Sequence, residues 1–164
     1  MNRLIVSLGP GYGDNTPITM IQILDSNGLD DTHWALKNVG GAIGEKILHL
    51  AACAYAERTL HLFEEAYPDD ERPRRVIEIK RKWIAGEASD DELNAARAAA
   101  WAAAKAAAWA AAWAAAWDAA EAAAWDDAWA AAEAAARAAA WAAGSGEKQV
   151  QTEILRKLLM EVAA

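Results

Sequence analysis

The sequence predicts an all-α fold: a compact helical bundle with long alanine- and tryptophan-rich helices and a small N-terminal strand or arm. Three observations lead there. Apolar residues between positions 42 and 86 and between 149 and 162 recur at helical rather than alternating spacing. Proline and glycine fall between those segments, where helices start and stop. From Trp101 to Ala143 the chain is mostly alanine, the residue with the best helix propensity, interrupted by tryptophan and a few charges.

Taken in order, Leu4 to Leu8 (LIVSL) reads as one short strand, followed by the turn-rich GPGYGDN. Thr16-Pro17 has the form of an N-cap with proline at the first helical position, starting a helix to about Ser26 that Asn27-Gly28 stops. Asp30 or Asp31 is expected to cap a short helix ended by Gly40-Gly41. Ala42 to Tyr67 forms a long helix with Ile43, Ile47, Leu50, Ala51, Ala54 and Leu62 on one side, closed by Pro68. Arg72-Pro73 opens a helix running to Gly86, with Val76, Ile77, Ile79, Trp83 and Ile84 inward. Ser89 followed by Glu92 is a capping box for the alanine–tryptophan tract, and Gly144-Ser145-Gly146 ends it. Gln149 to Val162 makes a closing amphipathic helix. The 164 residues fit one domain: an arm over 1–15, mixed amphipathic helices over 16–86, the tract over 89–143 and a last helix over 147–164.

Within the tract, Arg97, Trp101, Lys105, Trp109, Trp113, Trp117, Glu121, Trp125, Trp129, Glu133, Arg137 and Trp141 stand four apart. Four residues advance a helix by about 400°, so each step drifts about 40° and eleven steps drift about 440°. A single straight helix therefore cannot put these tryptophans on one face, and it would reach about 65 Å. A break is expected at Asp126-Asp127, which offers the one helix-starting signal inside the run. On this reading the alanines let backbones approach closely. The seven indoles, each burying on the order of 150–250 Å², fill a core or an oligomer seam. Such an excess of tryptophan predicts a homo-oligomer.

Several segments together resemble a known family. They are ITMIQILDSNGLDDTHWALKNV, LAACAYAERTLHLFEEAYPDDERPRRVIEIKRKWIAGEAS, the tract, and EKQVQTEILRKLLMEV. The chain is similar, over nearly its whole length after Pro17, to an immunity protein family of bacteria and phages with an immunity-five-like domain. The most specific stretch runs from Tyr67 to Gly86. The resemblance implies a small helical protein of bacterial conflict systems. Where members of that family often carry Leu-Trp-Ala-Leu, this chain has Thr32-His33-Trp34-Ala35-Leu36.

Charge narrows the function classes. The net charge of -8 argues against a nucleic-acid polymer or an anionic membrane surface as partner. Alanine contributes little to bilayer insertion, and Asp118, Glu121, Asp126, Asp127 and Glu133 interrupt the tract, so no membrane span is expected. The apolar run at the N-terminus is too short for a signal peptide, and the single cysteine, Cys53, suits a reducing cytoplasm.

Against that acidity stands one basic stretch. From Arg72 to Lys82, six cations face Glu78 alone, a net of +5 that leaves -13 for the rest of the chain. Arg72, Arg74, Arg75, Lys80, Arg81 and Trp83 are therefore the candidate ligand- or partner-binding residues. The bland account is a solvated helix face whose arginines pair Asp69, Asp70 and Glu71.

Other patterns carry less. Glu45, His49, Cys53, Glu57, His61 and Glu65 also stand four apart, but the same drift spreads them around a helix, and no metal is assigned. GPGYGD lacks the Lys-Ser/Thr of a phosphate loop. Nothing pairs a nucleophile with a base, so the chain reads as no enzyme and implies no cofactor.

Two functions compete. One is a non-enzymatic neutraliser that blocks a toxin or defence effector, its acidic surface suiting a basic effector such as a nuclease. The other is a phage-type sponge that sequesters a signalling nucleotide, with Arg72, Arg74, Arg75 and Lys80 on phosphates and a tryptophan on the base. An ice-binding helix ranks last, because regularly spaced threonines are missing.

Overall fold

The computed structural model describes residues 17–107, 128–143 and 146–163, and among them it forms seven helices and no strand. These are α1 (Met20–Asn27), α2 (Leu29–Val39), α3 (Gly41–Ala66), α4 (Arg72–Ile84), α5 (Asp90–Ala107), α6 (Ala128–Ala143) and α7 (Glu147–Ala163). The expected strand at Leu4 to Leu8, the GPGYGD turn and the break at Asp126-Asp127 lie outside the described residues.

Local chemistry sets the helix ends, twice differently from the sequence expectation. Thr19, rather than Thr16, caps α1. Its hydroxyl accepts from the Gln22 N–H at 3.2 Å, and the Gln22 side-chain oxygen accepts from the Thr19 N–H at 2.8 Å. That reciprocal box satisfies two otherwise orphaned donors, and the sequence offers it at Thr19 and not at Thr16, since the residue three after Thr16 is a threonine and the one three after Thr19 is Gln22. Gly28, with φ 90°, both ends α1 and starts α2, so neither Asp30 nor Asp31 is a cap. They sit instead in the first turn of α2, where the helix dipole favours carboxylates. The Ser89–Glu92 box is present, with Ser89 N–H donating to Glu92 Oε2 at 2.8 Å and Glu92 N–H to Ser89 Oγ at 3.2 Å.

α3 is the central helix, contacted by α2, α4, α6 and α7; α5 packs on α4, and α1 lies against α2 and α7. Its burial accordingly exceeds the single stripe expected. Ile47 and Ala51 are buried, but so are Leu48, Ala52, Tyr55, Ala56, Thr59, Leu60 and Phe63. Ile43, expected inward, is 61% exposed, because in this first turn it is Gly44 that faces the α2 backbone. The most extensive helix pairing is α3 with α6. α6 buries Ala128, Ala131, Ala132, Ala135 and Ala136, spaced as one face of a helix, in the same cluster as Ala51, Ala52 and Ala56 of α3. Alanine on both sides permits close backbone approach.

A buried polar chain ties four helices together. His33 Nε2 of α2 lies 3.2 Å from the Tyr55 hydroxyl of α3, which donates to the Gln151 carbonyl of α7 at 3.4 Å. The Gln151 side-chain amide donates to the Ala136 carbonyl of α6 at 2.8 Å. Among the described residues, no helix is long and apolar enough to cross a membrane.

Candidate functional site

The basic stretch becomes α4, and its spacing sorts the cations. Pro73, Val76, Ile77 and Lys80 form the buried stripe. Lys80 is fully buried, with Nζ 3.8 Å from the centre of the Trp83 ring. This corrects its assignment to phosphate binding: a lysine three residues after Ile77 and four after Val76 shares their inward face, and that register was readable. Trp83 is itself engaged. Its ring meets His49 edge-on at 5.3 Å, and its indole N–H donates to Asp90 at 2.7 Å. Half-buried between these neighbours, it is no open stacking platform.

The arginines point outward, and most are closed by carboxylates. Arg72 holds Asp70 through two contacts of 2.7 and 2.6 Å. Arg74 holds Glu64 through contacts of 2.6 and 2.7 Å, and Arg81 holds Glu57 through two of 2.9 Å. Each is a fork-to-fork pair, the geometry a planar guanidinium favours. The pairing residues Glu57 and Glu64 come from α3, where the sequence pointed to Asp69, Asp70 and Glu71; Asp70 alone of those pairs as expected. Hydrogen bonding from Arg72 holds the Asp70 carboxyl below its ordinary range.

Arg75 differs. It is exposed, and among the described residues its guanidinium makes no ion pair. It borders a groove of about 340 Å³ between α4 and α5, whose floor is Ile79, Ala95, Ala96 and Ala99 and whose rim includes Arg72 and Glu92.

The tryptophan tract is corrected where its side chains are described. Trp101 is 48% exposed, because α5 buries Leu93, Ala96 and Ala100, a register that the four-residue series misses. Trp129 is half-buried beside the alanine stripe of α6, with Lys37 Nζ 4.6 Å from its ring centre. For these two, alanine makes the core and tryptophan flanks it. Trp109, Trp113, Trp117 and Trp125, and the Trp141 side chain, lie outside the described residues.

The ligand-type series on α3 spreads as its drift requires. Glu45, His61 and Glu65 are exposed, His49 and Cys53 are buried, and Glu57 is taken by Arg81. Among the described residues, no three histidine, cysteine or acidic groups converge as a metal site would need. Burial pushes the Cys53 thiol up to about 12.

The fold and this surface define a small all-α protein presenting an ion-paired, mixed-charge helix. The model of the family described as "Imm-5 like putative immunity protein" matches residues 45–126, half of the chain, and the chain belongs to that family. The matched stretch takes in most of α3 and all of α4 and α5. Membership implies an immunity-type role and, with it, a protein partner in general. No curated protein and no solved structure matches the chain.

Proposed function

We propose that the chain is a non-enzymatic neutralising protein of a bacterial or phage conflict system, which acts in the cytoplasm by binding and blocking a toxin or defence effector. The observation that carries this reading is the family match over 45–126. The geometry supports it in a specific way. Arg72, Arg74 and Arg81 are held in fixed bidentate pairs. The helix thus offers a preordered mosaic of both charge signs, which gives register and partner choice at a protein interface. The net -8 of the chain suits a basic effector, nucleases among them. The test is co-expression with each effector encoded beside the gene. Survival that depends on this protein, with a complex recoverable at equal stoichiometry, is the expected result. If no neighbouring effector is neutralised, the reading fails.

One observation favours the nucleotide sponge as a second reading: Arg75, at a groove with an apolar floor. Three others weigh against it. Arg72 and Arg74 are already paired, Lys80 is buried, and the Glu92 carboxylate at the same groove repels phosphate. Calorimetry with cyclic and linear nucleotides decides between them; heat that Arg75→Ala abolishes would put the sponge first.

A further inference from the structure

The groove between α4 and α5 has walls of opposite charge. On the α4 side stands Arg75, exposed and, among the described residues, without an ion pair, whereas Arg72, Arg74 and Arg81 of the same helix are each closed by a carboxylate. On the α5 side stands Glu92. Its Oε2 accepts from the Ser89 N–H at 2.8 Å and from the Ser89 hydroxyl at 3.0 Å, which leaves Oε1 without a hydrogen bond among the described residues. Lys82 acts on that carboxylate only at a distance. Between the walls the floor is apolar, with Ile79 half-buried and Ala95 and Ala99 exposed one helical turn apart.

That combination selects its occupant. A simple anion drawn to Arg75 is repelled by Glu92, and a simple cation drawn to Glu92 is repelled by Arg75. Neither covers an apolar floor. A protein segment with both signs flanking a large apolar side chain satisfies all three parts, and charge matching of this kind sets register at interfaces. We propose that the groove seats an amphipathic segment of the neutralised effector, whose carboxylate meets Arg75, whose cation meets Glu92 and whose apolar side chain lies on Ile79, Ala95 and Ala99. This seat presupposes the neutralising role and adds to it the surface used and the chemistry of the partner.

The surroundings fit such a segment. At about 340 Å³ the groove has room for a few side chains rather than for a whole ligand, being at the low end of ligand pockets. The alanines raise nothing above their Cβ atoms, so a partner backbone can come close. Arg75 also lines two neighbouring depressions, one at the turn from Tyr67 to Glu71 and one beside Lys82 and Glu87. A segment anchored on its guanidinium can therefore run on past the groove at either end, and arginine is among the residues that most often anchor interfaces. The family match over 45–126 takes in both walls whole. Exposed ion pairs contribute little each, so the apolar contact and the Arg75 anchor carry most of the affinity of this seat.

Panning a phage-displayed library of random peptides on the full chain tests the seat with no effector in hand. Peptides that combine an acidic, a large apolar and a basic residue should be enriched. Synthetic copies should bind the parent chain, and Arg75→Glu and Ala95→Trp should each raise Kd about tenfold or more. Copies with the acid exchanged for lysine should prefer the Arg75→Glu chain. Arg75 and Ala95 are both exposed, so both variants should melt with the parent, which circular dichroism checks. No enrichment, enriched peptides without an acidic residue, or binding indifferent to both variants overturns the proposal. So does a groove that takes a cyclic or linear nucleotide through Arg75 and no peptide. An effector neutralised equally well by the parent and by Ala95→Trp overturns the seat and leaves the neutralising role standing, whereas the absence of any neutralised effector removes the role itself.

Discussion

Arg81 on α4 grips Glu57 on α3 with both arms, Nε to one carboxylate oxygen and Nη2 to the other, each at 2.9 Å. The pair spans the contact between the central helix and the basic one, so it fixes how α4 sits relative to α3. Both side chains are about 40% exposed, which limits its contribution to the upper part of the surface range. A double-mutant cycle with Arg81→Ala and Glu57→Ala, followed by urea unfolding, should give a coupling of about 0.5–1 kcal/mol. The coupling should shrink in molar salt, because exposed charges are screened.

Acid should loosen the fold through a narrow set of carboxylates. Asp70 is held below its ordinary 3.8 by the Arg72 guanidinium, and Glu92 below 4.5, mainly by the Ser89 backbone N–H. A carboxyl whose folded value is depressed contributes stability above its unfolded value and loses it as pH falls through the folded one. The urea midpoint should therefore hold steady down to about pH 5 and fall below about pH 4. Asp70→Asn combined with Glu92→Gln should make that acid limb shallower. An unchanged limb would show that neither group matters.

Much of this fold was legible because helix periodicity, punctuation and capping boxes are local. The span of α4, the Ser89–Glu92 box and the ends of α3 all follow from neighbours within four residues. What the sequence hid is set by distant partners. Glu64 and Glu57 reach Arg74 and Arg81 across ten and twenty-four residues. Arg58 meets Glu147 and Arg156 meets Asp25 across still longer separations. The burial of Lys80 was readable from its register with Val76 and Ile77, but the charge run obscured it. The tract misled in a different way. Tryptophan is the larger side chain, yet on α6 the stripe facing α3 is alanine, because close helix approach excludes an indole from the seam.

Cys53 should behave as an inert core residue. It is fully buried, and desolvation raises its thiol to about 12, so almost no thiolate, the reactive form, exists at pH 8. Ellman's reagent should react with the native chain only at the rate of opening, and stoichiometrically in denaturant. Raising native-state stability should slow the reaction in proportion. A fast reaction in native buffer would mean that α3 is open to solvent at this point.

The turn between α2 and α3 supplies the sharpest test of packing. Gly44 lies in the first turn of α3, and a Cβ built there collides with the Leu36 backbone carbonyl of α2. That oxygen cannot retreat, because it accepts from the Gly40 N–H at 3.0 Å. Gly44→Ala gains about 1 kcal/mol of helix propensity against a collision with backbone, for which overpacking costs reach about 3 kcal/mol. The net expectation is a destabilisation of about 1–2 kcal/mol, or a Tm lower by several degrees. Gly41, three residues earlier, offers the contrast. A Cβ there meets nothing within 4 Å, but its φ of 55° is left-handed. Its cost is conformational, so Gly41→Asn should be milder than Gly41→Ala, since asparagine tolerates that region. At Gly44 the order should invert, because asparagine adds atoms where none fit. Thermal unfolding of the four variants measures both orders, and a Gly44→Ala chain as stable as the parent would show that α2 and α3 can part at this point without penalty.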